Sequence, residues 1–273
     1  DKWVLSKLNT LISEVTENLE KYELGVAVQK IYDFIWDTYC DWYIELTKAR
    51  LYSEDAERKQ TAISVLVFVL EKFFGFITPV SLVEISDVNN PVLRELSEKC
   101  PGTFQHSLQV ANLAAEVAHS IGANVQLVRA GALYHDIGKI GNPAFFTENQ
   151  RGVNPHDSLT PDQSARIVIK HVTDGVQRAE KAKLPSVIKD FILQHHGCGK
   201  AKYFYMKACE QAGGAENVDE SIYTYPGPNP NTRETTIVMM ADATEAAAKS
   251  LKEHSDEAIK SLVDKIVDSQ MAD

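Results

Sequence analysis

Five histidines and two aspartates are scattered between positions 106 and 242, and a fold that uses them together must gather them at one interior point. The centre of the set is Ala130-Gly-Ala-Leu-Tyr-His-Asp-Ile-Gly-Lys139. There His135 stands beside Asp136 at an expected helix end, because Gly138 follows at once and glycine is the usual residue just past a helix C-terminus. An adjacent imidazole and carboxylate suit a hard or borderline divalent metal. A single His-Asp pair arises by chance in a chain of this length, so the reading depends on its company. His106 lies upstream; His171, the pair His195-His196 and Asp242 lie downstream, each in a segment with helical patterning. A helix bundle can turn residues from several helices onto one point. Seven ligands exceed what one octahedral ion takes, so the count suggests two metals sharing a carboxylate.

Charge and cysteine usage narrow the function classes. The formal net charge of −10 argues against a non-specific nucleic-acid binder, which would be basic. An anionic substrate would then need local positive charge, and metal ions supply it. Cys40, Cys100, Cys198 and Cys209 form no CxxC pair and no regular framework, so they read as reduced cytosolic thiols. The longest apolar run, Ala62 to Leu70, is too short to span a bilayer, and the chain is expected to be soluble and cytoplasmic. It opens on Asp1, which suggests an excised or processed segment.

Apolar periodicity predicts an all-α protein. Trp3, Leu5, Leu8, Ile12, Val15 and Leu19 form one helical stripe, and a second helix over 26–51 presents Val28, Ile31, Ile35, Tyr39, Trp42 and Leu46 inward. A third helix follows, capped by Ser53 or Asp55 and running through Leu70. This antiparallel hairpin-plus-one over 1–72 contains no histidine and reads as structural. Gly75 and Pro79 mark the boundary to a second domain over 73–273. Ser81 to Asp87 is expected as a short strand or extended linker. Helices are expected over 92–99, from Pro101 through Ser120, over 125–135, and from Thr160 to Lys183. Others end at Gln194, span 200–211, run from Thr232 through Leu251, and start at Ser255. Thr160-Pro-Asp-Gln163 is a complete helix start, with N-cap, first-position proline and capping-box glutamine. The polar stretch 142–157 is too long for an idle connection. The aromatic cluster Tyr203, Phe204, Tyr205 and Met206 reads as packing, with purine stacking as the alternative. His119 and His254 have no motif partners and read as surface or packing residues.

Two resemblances follow. Asp1-Lys-Trp-Val-Leu-Ser-Lys-Leu-Asn9, Tyr22-Glu-Leu-Gly25, Ile31-Tyr-Asp-Phe-Ile-Trp-Asp37 and Cys40-Asp-Trp-Tyr-Ile-Glu45 resemble the helical anticodon-binding region of bacterial valyl-tRNA synthetases. That resemblance covers about residues 1–72 and implies the helical fold. With 13 Asp and Glu against 9 Lys and Arg, the stretch is not expected to bind tRNA unaided. The ligand order His106, His135-Asp136, His171, His195-His196 and Asp242 is that of HD-superfamily metal phosphohydrolases. Pro101-Gly-Thr-Phe-Gln-His-Ser107, Glu148-Asn-Gln150, Asn154-Pro-His-Asp157, Gln194-His-His-Gly197 and Tyr225-Pro-Gly-Pro228 resemble the cytoplasmic HD domain of the seven-transmembrane HD receptor family, the PgpH-type cyclic-di-AMP phosphodiesterases. Members of that family carry an extracellular region and membrane spans before this domain. Here about seventy synthetase-like residues stand in their place, as in an engineered or natural fusion.

The second resemblance implies the chemistry. One metal would take His106, His135, Asp136 and Asp242, the other Asp136, His171, His195 and His196, with Asp136 bridging. The ions would be two divalent metals, iron or manganese. Hydrolysis of cyclic di-AMP by an activated water would give the linear dinucleotide with a 5′-phosphate. Asp136 and Lys139 are the expected catalytic residues, Lys139 also holding a phosphate oxygen as a point charge. Asn154, His156 and Arg166 are further candidates for substrate contact, with Arg151 a weaker one. No nucleic-acid partner is expected, and a homodimer is an open assembly. Two alternatives stand beside this reading. One is an HD phosphohydrolase acting on cyclic di-GMP or a mononucleotide; the other is a tRNA- or protein-binding helical module whose HD site is idle.

Overall fold

The structure is a computed structural model that describes every residue except Gly75, Phe76, Thr78, Arg151, Lys252, His254, Ala272 and Asp273. The sequence readings of Gly75, Arg151 and His254 therefore lie outside the described residues. Among those described the chain is helical with no strand, and only an isolated bridge pairs Lys200 with Thr224. Its internal contacts divide it into two units, Asp1–Thr78 and Pro79–Asp273. No described helix is long and apolar enough to cross a membrane.

The first unit comprises α1 (Lys2–Glu20), α2 (Leu24–Asp33), a π-helical continuation (Phe34–Ile44), α3 (Glu45–Leu51) and α4 (Ala56–Phe74). Its core is Val4, Leu8 and Leu11 of α1 against Phe34, Tyr39, Tyr43 and Val69. The inner stripe of α1 is thus narrower than expected, and Trp3, Ile12 and Leu19 are half exposed. The second helix turns Tyr39 inward as expected, but a different set of positions accompanies it. A π-helix closes i→i+5 bonds and takes more residues per turn, so inner positions fall at Phe34, Tyr39, Tyr43 and Thr47 instead of on a 3.6-residue stripe. That rotation leaves Trp42 and Leu46, expected to be buried, more than 60% exposed, and Val28, which precedes the π-helical stretch, is exposed as well. The Tyr39 hydroxyl donates to the Leu66 carbonyl at 2.8 Å and ties this segment to α4. Asp55 caps α4, its Oδ1 accepting from the backbone N–H groups of Glu57 and Arg58.

The second unit contains α5 (Pro79–Ile85), α6 (Pro91–Lys99), α7 (Pro101–Ser120), α8 (Val125–Tyr134), α9 (Pro161–Lys181), α10 (Ser186–Gln194), α11 (Lys202–Ala212), α12 (Arg233–Ala248) and α13 (Asp256–Met271). The strand or linker expected over 81–87 is instead the helix α5. Pro79 suits a first helical turn, Leu82 is buried, and the Tyr134 hydroxyl donates to the Ile85 carbonyl at 2.6 Å. Helix α8 is buried nearly all round and packs against α5, α7, α10 and α12, so its C-terminal end lies in the middle of the bundle. The Thr160 capping box starts α9 as expected.

Four short 3₁₀ turns follow α8, at Ile137–Gly141, Pro143–Phe145, Thr147–Asn149 and Pro155–Ser158. Asn149 pins this segment to α7: its Oδ1 accepts from the Gly102 and Thr103 N–H groups and its Nδ2 donates to Thr103 Oγ1. Gly138 belongs to this segment and does not have the role the sequence suggests. It has no positive φ and lies inside the turn Ile137–Gly141. A Cβ there would sit 1.8 Å from the His171 carbonyl oxygen, so glycine is needed for the turn to press against the backbone of α9.

Candidate metal centre

Five helices deliver the seven candidate ligands. Helix α7 carries His106, the end of α8 presents His135 and Asp136, α9 carries His171, the end of α10 presents His195 and His196, and α12 carries Asp242. All but His196 are buried. Among the described residues, two groups have ligand atoms close enough to share an ion: His106, His135 and Asp136, and His171, His195 and His196. Asp136 lies between them. Its Oδ2 is 3.3 Å from His135 Nε2 and 3.7 Å from His106 Nε2, while its Oδ1 is 3.3 Å from His171 Nε2 and 3.7 Å from His195 Nε2. Asp242 adds a carboxylate to the first group, with Oδ1 2.9 Å from His106 Nε2 and 3.6 Å from His135 Nε2. His196 is the least enclosed ligand; its Nδ1 is 3.9 Å from Asp242 Oδ2 and its ring lies against Tyr225 at 4.2 Å between centroids.

These donors fit divalent ions. Two ligands each about 2.1 Å from one ion stand roughly 3.0–3.4 Å apart, which is the spacing between several of these atoms. His135 Nε2 and Asp136 Oδ1 are buried without a hydrogen-bond partner, a condition that a native site rarely tolerates unless something else satisfies them. The imidazoles are also held in the orientation that ligation needs. His135, His171 and His195 each donate from Nδ1 to the carbonyl three residues back, on Ala132, Val168 and Ile192, at 2.6, 2.6 and 2.8 Å. A carbonyl oxygen only accepts, so each Nδ1 carries a proton and Nε2 is the nitrogen turned to the centre.

Burial works against ionised Asp136, but Lys139 and His135 outweigh it and hold the carboxyl well below its usual range. Asp242 is lowered in the same way, by His106 and His135 against burial. Burial also disfavours an imidazolium at His135, yet Asp136 and Asp242 raise it to about 10. At His195 and His196 burial prevails, joined by repulsion from neighbouring imidazoles. His195 falls well below the ordinary range and His196 to about 3. Free of metal, the Asp136 and Asp242 side of the centre is anionic with a proton held on His135, whereas His195 and His196 are neutral imidazoles.

Lys139 is buried against this centre, with Nζ 2.7 Å from Asp136 Oδ2 and 3.0 Å from Glu148 Oε1. Glu148 accepts in turn from Thr103 Oγ1 at 2.8 Å. Asn154 Oδ1 accepts from the His156 N–H and from Gln150 Nε2, and His156 Nε2 donates to the Phe145 carbonyl. Asn154 and His156 line a cavity of about 500 Å³ with Phe145, Phe204 and Lys139 that reaches His171 and His196. A second cavity of about 470 Å³, lined by Tyr225, Met239, Met240 and Lys202, reaches His195, His196 and Asp242. Arg166 is not brought to the centre. It lies five residues before His171, about 140° round the helix, and is exposed beside Asp219 and Tyr223. Glu245, which no motif singled out, bonds His106 Nδ1 at 2.5 Å. Its signal was its position one helical turn after Asp242.

Residues 103–247, just over half of the chain, match the family described as the HD domain. The chain belongs to the HD-domain family. Every candidate ligand falls within those HD-domain residues. Residues 1–81 match the family described as the anticodon-binding domain of tRNA ligase. The chain is 44% identical over 206 residues to the cyclic-di-AMP phosphodiesterase PgpH of Listeria monocytogenes, covering 75% of this chain and 28% of that protein. The crystal structure of the L. monocytogenes PgpH HD domain in complex with cyclic di-AMP superposes with a TM-score of 0.64 at 44% identity, covering 67% of this chain and 85% of that one. The N-terminal part is 51% identical over 80 residues to the valine–tRNA ligase of Clostridium acetobutylicum, covering 29% of this chain and 9% of that protein. The chain thus spans less than a third of the length of the curated relatives it matches.

Proposed function

We propose that this chain is a two-metal phosphodiesterase that hydrolyses cyclic di-AMP to linear 5′-pApA. The observation that carries the reading is the position of Asp136, with one carboxylate oxygen turned to each histidine group. Divalent iron or manganese held by the two groups would supply Lewis acidity towards a phosphodiester and make a water nucleophilic near neutral pH. His106, His135, Asp136 and Asp242 would hold one ion, and Asp136, His171, His195 and His196 the other. Lys139 carries three N–H donors and is ion-paired with Asp136 and Glu148. It can steady the shared carboxylate while offering a donor to a phosphate oxygen.

The surroundings favour a dinucleotide over a mononucleotide. Of the cavities that border the centre, two share His196 and Tyr225 as their common wall. A ligand with one phosphodiester at the metals and a base-bearing arm on each side matches that division. The aromatic cavity, with Phe145, His156 and Phe204, suits a purine face. The solved complex of the L. monocytogenes HD domain with cyclic di-AMP supports the same substrate class. Residues 1–72 are taken as a helical part without catalytic residues, and 73–273 as the phosphohydrolase.

The deciding experiment is elemental analysis of the purified protein alongside hydrolysis of cyclic di-AMP and cyclic di-GMP, with the Asp136→Ala variant in parallel. Two iron or manganese ions per chain, 5′-pApA as product and no turnover by the variant are expected. One ion or none, with both substrates untouched after manganese is added, would overturn the proposal. Preferred hydrolysis of cyclic di-GMP would keep the chemistry and replace the substrate.

A further inference from the structure

Three of the buried site imidazoles, on His135, His171 and His195, are oriented by backbone carbonyls. His106 alone among these four is oriented by a side chain. Its Nδ1 meets Glu245 Oε2 at 2.5 Å while its Nε2 faces Asp242 Oδ1 at 2.9 Å. Asp242 and Glu245 are three residues apart on α12, so they project from consecutive turns of one face and clasp the imidazole between them. The second oxygen of Glu245 is held by Lys249 at 2.8 Å, four residues further along the same helix. The Glu245 side chain is only 10% exposed, and so is nearly sealed from water.

We infer that Glu245 is a positioning residue for the metal held by His106, His135, Asp136 and Asp242: it fixes the proton of His106 on Nδ1 and so directs Nε2 to the ion. The inference rests on the two-ion reading proposed above and adds a residue that reading does not use. A carboxylate can only accept, so the Glu245 contact requires the proton on Nδ1; the competing tautomer could donate from Nε2 to Asp242, but it would set a bare Nδ1 lone pair against the Glu245 carboxylate at 2.5 Å and leave no Nε2 lone pair for a metal. Outer-shell partners of this kind commonly govern metal affinity by one to two orders of magnitude. The backbone carbonyls behind His135, His171 and His195 cannot be removed by a side-chain change. Glu245 therefore makes one half of the centre separately adjustable, and a substitution there should weaken one ion and spare the other.

The test is calorimetric titration of the chelator-stripped full chain with Mn²⁺, for the parent and for Glu245→Ala, Glu245→Gln and Lys249→Ala. In Glu245→Ala one ion should bind about 10–100-fold more weakly and the other as in the parent. Glu245→Gln retains an acceptor oxygen and should recover most of the loss. Lys249→Ala should bind both ions as the parent does, since Lys249 is half exposed and touches Glu245 only through its far oxygen. Equal weakening of both ions, no weakening, or failure of glutamine to recover would overturn the inference while leaving the two-ion reading intact. A parent that binds fewer than two ions would overturn that reading, and this inference with it.

Discussion

His135 contains the proton on which metal binding turns. Asp136 and Asp242 raise it to about 10 against the effect of burial, so the metal-free protein holds a proton on that imidazole at pH 7. A raised pKa keeps the proton bound until the pH passes it, and a metal reaching Nε2 below that pH must displace the proton. Binding of the ion at His135 should therefore release one proton, and its affinity should rise about tenfold per pH unit from 7 towards 10. Titrations at pH 7 in buffers of different ionisation heat measure the release, and identical heats in all buffers would sink the idea. Lys139 makes the complementary case. It neutralises Asp136 and Glu148 where little water reaches them. Lys139→Met leaves Glu148 without a counter-charge and Asp136 with His135 alone, and the metal-free protein should lose about 3–5 kcal/mol in urea unfolding. Excess Mn²⁺ should restore part of that loss, because bound cations replace the missing charge.

Between helices, the close approach of the Ile137–Gly141 turn to α9 couples the two halves of the site. His135 and Asp136 precede this turn, and His171 lies on the helix that the turn touches at Gly138. Gly138→Ala would put a methyl carbon into the His171 carbonyl, backbone against backbone, and neither side can swing away as a flexible side chain would. The expected cost is about 1–3 kcal/mol of stability, with weaker binding of both ions as His171 is pushed from Asp136. A variant with parent-like melting and parent-like Mn²⁺ affinity would show that the turn relaxes freely. The same element marks what could be read in advance and what could not. The glycine itself was legible as a special position, but local pattern suggested a helix end, since the approach of a helix more than thirty residues further along is not encoded nearby. The segment 81–87 reads as a strand or linker for a related reason: so short a run fixes little of its own backbone, and packing of Leu82 and the Tyr134–Ile85 bond favour the helix. In the second helix the π-helical stretch spaces the inner residues more widely on either side of Tyr39, and no composition signal announces such a change.

At the level of the entire chain, all the chemistry lies in one part. The seven candidate ligands, with Lys139, Glu148 and Glu245, fall between positions 106 and 245, inside the contact unit Pro79–Asp273. A protein comprising 79–273 should therefore bind as many metal ions as the full chain and hydrolyse cyclic di-AMP at a comparable rate, while 1–78 should do neither. Metal analysis and turnover of the two pieces check this, and loss of metal from 79–273 would mean that the first unit supports the centre. The first unit is acidic and exposes Trp36, Trp42 and Tyr52, yet among its described residues it offers no cluster of metal-binding side chains.

The helical class, the capping box at Thr160 and the identity of the seven candidate ligands were legible along the chain, because each depends on residue type and short-range spacing. The division of those ligands into two groups came into view in the sequence only through a family likeness. Its geometric basis is the two oxygens of one carboxylate facing opposite ways, and that depends on five helices crossing at Asp136. Arg166 and Glu245 show the same boundary from either side. Arg166 has the right charge for a phosphate but faces Asp219 on the far side of α9, whereas Glu245 belongs to no motif yet meets His106. Which side chains touch is decided by the angles at which helices pack, and those angles come from the sum of many weak contacts made by residues far apart in the chain.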